Sequence, residues 1–191
     1  MKKANRTSTA AGNAAKSKAN AAAETMQREP AEIIDLAPVV LKLKSILAPV
    51  DFSPPSQKAI HYALSFAEQF EAKVTLLYVV EPAVYPTEFG YVPAEIDKLY
   101  RTMDESAREK LATLAEKQVP ANLRAQTLVR LGQPYREICE AAKELGVDLI
   151  VIATHGYTGL KHTFLGSTAE KVVRHAPCPV LVVREREHDF V

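Results

Sequence analysis

Apolar positions along the chain follow two alternating rhythms: short unbroken runs, and longer stretches with a period of three to four residues. The first run, SILAPVD (Ser45–Asp51), ends on an acid. Ser53-Pro54-Pro55 then opens a helix, since proline fits a first turn whose N–H groups have no intrahelical partner. Ile60, Ala63, Leu64, Ala67 and Phe70 continue at helical spacing. KVTLLYVV (Lys73–Val80) has the β-branched content of a buried strand. A loop from Pro82 to Pro93 leads to Ile96, Leu99, Met103, Ala107, Leu111 and Leu114, the apolar stripe of a long amphipathic helix.

Leu123–Arg130 alternates more openly, as a half-exposed strand does. Gln133-Pro134 starts the next helix, with Tyr135, Ile138, Ala142 and Leu145 on one face and Gly146 at its end. VDLIVIAT (Val147–Thr154) is the most hydrophobic strand. A loop, a helix over Ser167–His175 and the strand PVLVVR (Pro179–Arg184) complete the pattern. Strands separated by helices need crossovers, and right-handed crossovers cover both faces of a parallel sheet. The predicted fold class is therefore α/β: a doubly wound, five-stranded parallel sheet with helices on both faces, Rossmann-like. It forms a single domain over residues 43–187, with 188–191 as a C-terminal end.

Residues 1–42 are a different kind of chain. The first 30 are largely Ala, Lys, Asn, Ser and Thr with no apolar stripe, and cannot offset the entropy of ordering. A disordered basic tail is expected there. Residues 31–43 (AEIIDLAPVVLKL) form a linker apolar enough to lie against the domain. Lys16, Asn13 and Lys18 interrupt the alanines, so no secretory h-region forms.

Charge and cysteine usage narrow the class. Net charge is +1 overall, but residues 1–44 carry eight Lys/Arg against four Asp/Glu, which leaves −3 on the remainder. Nothing in the domain pushes it toward nucleic acid. No apolar run approaches the roughly 18 residues of a membrane span, so no membrane partner is expected. Cys139 and Cys178 match no metal-ligand spacing and read as two buried thiols in a reducing compartment. A cytoplasmic location follows.

In a doubly wound sheet, ligands bind beyond the carboxyl ends of the strands, where strand order reverses. Two strand ends carry polar residues or glycine directly after an apolar run: Asp51, and Thr154-His155-Gly156. The loop ATHGYTGLKHTFLGSTAEK (Ala153–Lys171) contains Gly156, Gly159 and Gly166, and Gly166-Ser167-Thr168 opens a helix whose free N–H groups suit a phosphate. Lys161 and His162 add positive charge. Plainer readings stand beside these. Ser167 with Glu170 forms a capping-box pattern, Asp51 suits the turn before Ser53, and His155 on its own suits a structural role. Tyr85, Phe89 and Tyr91 suit loop packing better than base stacking.

These residues resemble the universal stress protein family over nearly all of Leu43–Arg184. ILAPVDFS (Ile46–Ser53), LLYVVE (Leu76–Glu81) and HAPCPVLVVR (His175–Arg184) look like that family. Its nucleotide motif is a glycine, two residues, a second glycine, nine residues, then glycine with Ser or Thr. Here Ala153, Gly156 and Gly166-Ser167 occupy those places, so Ala153 departs from the motif. The resemblance implies that Asp51 holds ribose hydroxyls, Pro49 and Val50 line an adenine pocket, and the Val79 backbone meets the base. Gly156, Gly166, Ser167 and the Thr168 amide would cradle phosphates, while His155 and Gly159 shape the loop.

The implied function is that of an ATP-binding stress regulator with at most slow hydrolysis, holding magnesium through the phosphates, and forming a homodimer, often through the last strand. The alternatives are a homodimeric interaction module without ligand, or a nucleotidyl-transfer enzyme. No Gly-Lys-Ser/Thr phosphate loop and no second acid beside Asp51 support catalysis.

Overall fold

A computed structural model of the protein describes residues 42–82, 94–154 and 165–184. The tail to residue 41, the loop with Tyr85, Phe89 and Tyr91, and residues 185–191 lie outside the described residues. The strands are β1 (Ser45–Val50), β2 (Lys73–Val80), β3 (Ala125–Leu131), β4 (Leu149–Ala153) and β5 (Val180–Val183). The helices are α1 (Pro54–Phe70), α2 (Ala94–Gln118), α3 (Pro134–Glu144) and α4 (Ser167–His175). All the pairings are parallel, in the order β3-β2-β1-β4-β5. The chain winds outward from β1 in one direction and resumes at β4 in the other, so the reversal falls between β1 and β4. This is the expected Rossmann-like α/β sheet.

Side chains alternate along each strand and feed two cores. Ile46, Ala48 and Val50 join Ile60 and Ala63 of α1 and Leu111 of α2 on one face. Leu47 and Leu77 join Ile138 of α3 and Val172 of α4 on the other. Burying each large apolar side chain contributes about 1.5–3 kcal/mol, so two filled faces are what hold the sheet. Leu43 is already in the first core at 6 % exposure.

The turns show why these elements stop where they do. Ser53 caps α1, its hydroxyl accepting from the Ser56 amide at 3.3 Å. Gly146 ends α3 with φ +57, a conformation that favours glycine, while the Val147 amide reaches Ala142 O at 3.1 Å. That turn still holds Val147 and Asp148, so β4 begins later than its apolar run suggests. Instead, Asp148 staples the sheet: its carboxylate accepts from the amides of Lys44 and Ser45 at 2.7 and 3.0 Å.

Cys139 and Cys178 are both free and half-buried, and burial pushes both thiols upward in pKa, which keeps them protonated near neutral pH. Among the described residues, no helix is long and apolar enough to cross a membrane.

Glu71 caps the end of α1 with φ 54, in the left-handed region that costs a residue with a Cβ about 1 kcal/mol. Its side chain is exposed, so Glu71→Gly relieves that cost without opening the core. Urea denaturation is expected to show a gain of about 0.5–1 kcal/mol. A loss would mean that the glutamate side chain matters more than its backbone.

Candidate functional site

The end of β1 is shaped by a short polar network. Phe52 takes φ 63, which turns the chain sharply after Asp51, and its ring packs on Tyr78 with centroids 4.8 Å apart. The Ser53 amide and hydroxyl both donate to Asp51 Oδ1, at 2.9 and 2.5 Å. Asp51 therefore does hold the turn before Ser53. It does so with one oxygen, and Oδ2 has no hydrogen bond among the described residues. Ser53 and Ser56 are buried at 1 % and 3 % exposure, so this network is part of the fold as well as the rim of a site.

Beyond β4, the Thr154 amide donates to Val183 O at 2.9 Å, and Thr154 O accepts from the Gly166 amide at 2.7 Å. The strand end is thereby tied to the start of α4. Gly166, and not Ser167, is the N-cap, and it makes no side-chain capping bond. The capping-box reading of Ser167 is corrected: Ser167 is already the first helical residue, so its hydroxyl is not used to close the helix end. The first i→i−4 bond runs from the Glu170 amide to Gly166 O at 2.9 Å. The amides of Ser167, Thr168 and Ala169 precede it and have no partner within the helix, with the positive end of the helix dipole behind them. The Gly166 amide is committed to Thr154.

Between these two strand ends lies a cleft of about 320 Å³, within the range of about 300–1,000 Å³ typical of small-molecule sites. Pro49, Val50, Asp51, Val79, Ala153, Thr154, Gly166, Ser167 and Thr168 all line it. His155, Gly156 and Gly159 lie outside the described residues, as do Lys161 and His162. Leu77, Ile138 and Ile152 give it an apolar wall. Its charged lining residues among those described are Asp51 and Glu81. Glu81 is a second acid at this cleft, one strand over from Asp51.

Tyr78 forms a wall of this cleft, and its hydroxyl is held above the usual phenol pKa by burial first and by the negative charge of Asp51 second. Across that wall is a wider hollow of about 780 Å³ against α2, which shares Asp51 and Tyr78 and adds Lys110 and Lys117. It is larger but has no helix start and no glycine turn among its lining residues. The helix start at Gly166 lines the smaller cleft.

The model of the universal stress protein family matches residues 42–184. The chain belongs to the universal stress protein family. It is 38% identical over 147 residues to universal stress protein MJ0531 of Methanocaldococcus jannaschii, a match covering 74% of this chain and 82% of that one. It is 35% identical to universal stress protein YxiE of Bacillus subtilis, over 73% of this chain and 97% of that one. Among solved structures, that of MJ0577 from M. jannaschii matches with a TM-score of 0.67 at 30% identity, covering 78% of this chain and all of that one.

The universal stress protein motif begins on glycine where this chain has Ala153. The backbone at this place accommodates alanine without strain. Ala153 is an ordinary strand residue paired with Val183, and it is not among the residues with positive φ. It belongs to the core on the α1 side, where a methyl group fills space, and it is 7 % exposed. Pattern reading passed over Ser56, Leu77, Tyr78, Pro134, Ile138, Ile152 and Ala169, because their contribution depends on strand order. Glu81 did carry a signal: like Asp51, it is an acid placed directly after an apolar run.

The two serines at helix starts have opposite expectations. Ser53→Ala should cost about 1–2 kcal/mol, as loss of a buried cap does. Ser167→Ala should change stability by less than about 0.5 kcal/mol. Thermal and urea unfolding of both variants checks this. Equal losses would restore Ser167 as a cap.

Proposed function

We propose that this universal stress protein binds adenine nucleotides, ATP among them, in the cleft between the ends of β1 and β4. The observation that carries this reading is that one cleft gathers a carboxylate oxygen, an apolar wall and an uncapped helix start. These match in kind the three parts of a nucleotide. Amides of Ser167, Thr168 and Ala169 receive a phosphate, Asp51 Oδ2 accepts from ribose hydroxyls, and the base lies against Pro49, Val79 and Ile138. A divalent cation such as Mg²⁺ would be held through the phosphates, since no group of three or more potential ligands exists among the described residues. Polyphosphates approaching two carboxylates gain from that cation, which offsets the repulsion.

In this reading the chain acts as a cytoplasmic stress-response regulator that changes with bound nucleotide, with at most slow hydrolysis. The same reading makes it a homodimer through β5. That strand ends the sheet, and Val180, Leu181 and Val182 are only half-buried, so self-pairing would cover an apolar edge. Light scattering of the full chain is expected to give twice the 21.0 kDa chain mass. A stable monomer at high concentration removes this part of the proposal.

Asp51 and Gly166 test the site itself. Asp51→Ala should weaken AMP and ATP about equally, by about 1–3 kcal/mol, because it removes acceptors for ribose. Gly166→Val should hurt ATP more than AMP, because its bulk meets phosphate. Gly166 has φ −66, so valine is allowed there by the backbone. Calorimetry with AMP, ADP and ATP measures both effects. Melting temperatures serve as the control, since Asp51 also holds the Ser53 turn. Folded variants that bind ATP as the parent does would remove the site, and a parent that binds no nucleotide at millimolar concentration would favour a ligand-free interaction module.

A further inference from the structure

The hollow of about 780 Å³ across Tyr78 from the cleft falls within the size range of about 300–1,000 Å³ of small-molecule sites. Its floor is apolar. Phe52, Tyr78 and Leu114 pack against the first core but stay half-buried, so part of each remains uncovered. The rings of Phe52 and Tyr78 meet at 51°, with centroids 4.8 Å apart. A flat ring laid against this pair gains aromatic contact of the kind the two already make with each other.

The wall of the hollow is one face of α2, where Ser106, Lys110, Thr113 and Lys117 recur at steps of three and four. At about 100° per residue, Lys110 and Lys117 lie about 40° and 60° round the helix from Leu114. Glu109 lies about 140° from Leu114, on the outer rim. The helix charges nearest the floor are therefore positive. Arg101 and Arg108 of the same helix each have an aspartate four residues earlier and pair with it, at 2.9 and 2.6 Å. Lys110 and Lys117 have no acid three or four residues away, and neither forms an ion pair among the described residues. Asp51 lines the strand side of the hollow, so an acidic group is turned away from it and toward the lysines.

We propose that this hollow binds a small aromatic acid, its ring on Phe52, Tyr78 and Leu114 and its acid group between Lys110 and Lys117. The two lysines stand about 10 Å apart along the helix, and their long flexible stems can converge on one group over Thr113 and Leu114. Both are exposed, so each ion pair is weak and the preference for an acid is modest. The site is separate from the nucleotide cleft and does not depend on a nucleotide binding there.

Calorimetry on the full chain with 2-naphthoate, 2-naphthylmethanol and 2-naphthylmethylamine tests this, since the three share one ring system and differ in charge. The parent is expected to bind the acid about tenfold more tightly than the alcohol, and the amine most weakly. Lys110→Gln and Lys117→Gln should each weaken the acid about threefold, and the double variant about tenfold, with the alcohol unchanged. These variants should melt with the parent, because both side chains are exposed and glutamine suits a helix. Added salt should shrink the preference. Equal binding of acid, alcohol and amine overturns the inference, as does a double variant that keeps the preference. So does a parent that binds no acid at millimolar concentration. Acid that excess AMP displaces sits in the nucleotide cleft instead, which also overturns the inference.

Discussion

Burial of β1 on both faces, between β2 and β4, is the constraint on which the rest of the structure depends. It pairs with β2 over its whole length but with β4 only at Ile46 and Leu47. Past those two pairs the strands part, and the opening between them is the cleft. The staple from Asp148 to the amides of Lys44 and Ser45 holds the paired end firmly, so the divergence is confined to the carboxyl end.

At that end a single acid serves fold and site together. Asp51 Oδ1 takes two donors from Ser53, which caps α1, while Phe52 adopts a left-handed turn that its ring packing on Tyr78 offsets. The geometry of Oδ2 is therefore set by the start of a 17-residue helix and not by a mobile loop. Rigid support of this kind lowers the cost of ordering a side chain when a ligand arrives.

The described cleft places the amides of a helix start at one end and two carboxylates at the other. Amides at a helix start carry partial charge at fixed positions and need no counter-ion, whereas a lysine would bring full charge and a flexible stem. The acids then repel phosphate away from their own ends of the cleft and toward α4. In the proposed reading, charge along the row of strand ends would orient a nucleotide as well as shape would.

Periodicity alone determined the alternation of strands and helices, because each element must hide an apolar stripe or face and the two periods differ. It also marked Asp51 and the Gly166 helix start, since polar residues placed directly after an apolar run stand out in one dimension. What it could not assign was which serine caps. Ser167 has the capping pattern, yet Gly166, whose amide donates to the carbonyl of Thr154, is the N-cap of the helix that begins at Ser167. Nor could it place Glu81, Pro134 and Ile138 beside Asp51. Those neighbours depend on the order β3-β2-β1-β4-β5, in which strands distant in sequence become adjacent. Strand order comes from long-range packing of both faces at once, and no local run of residues records it.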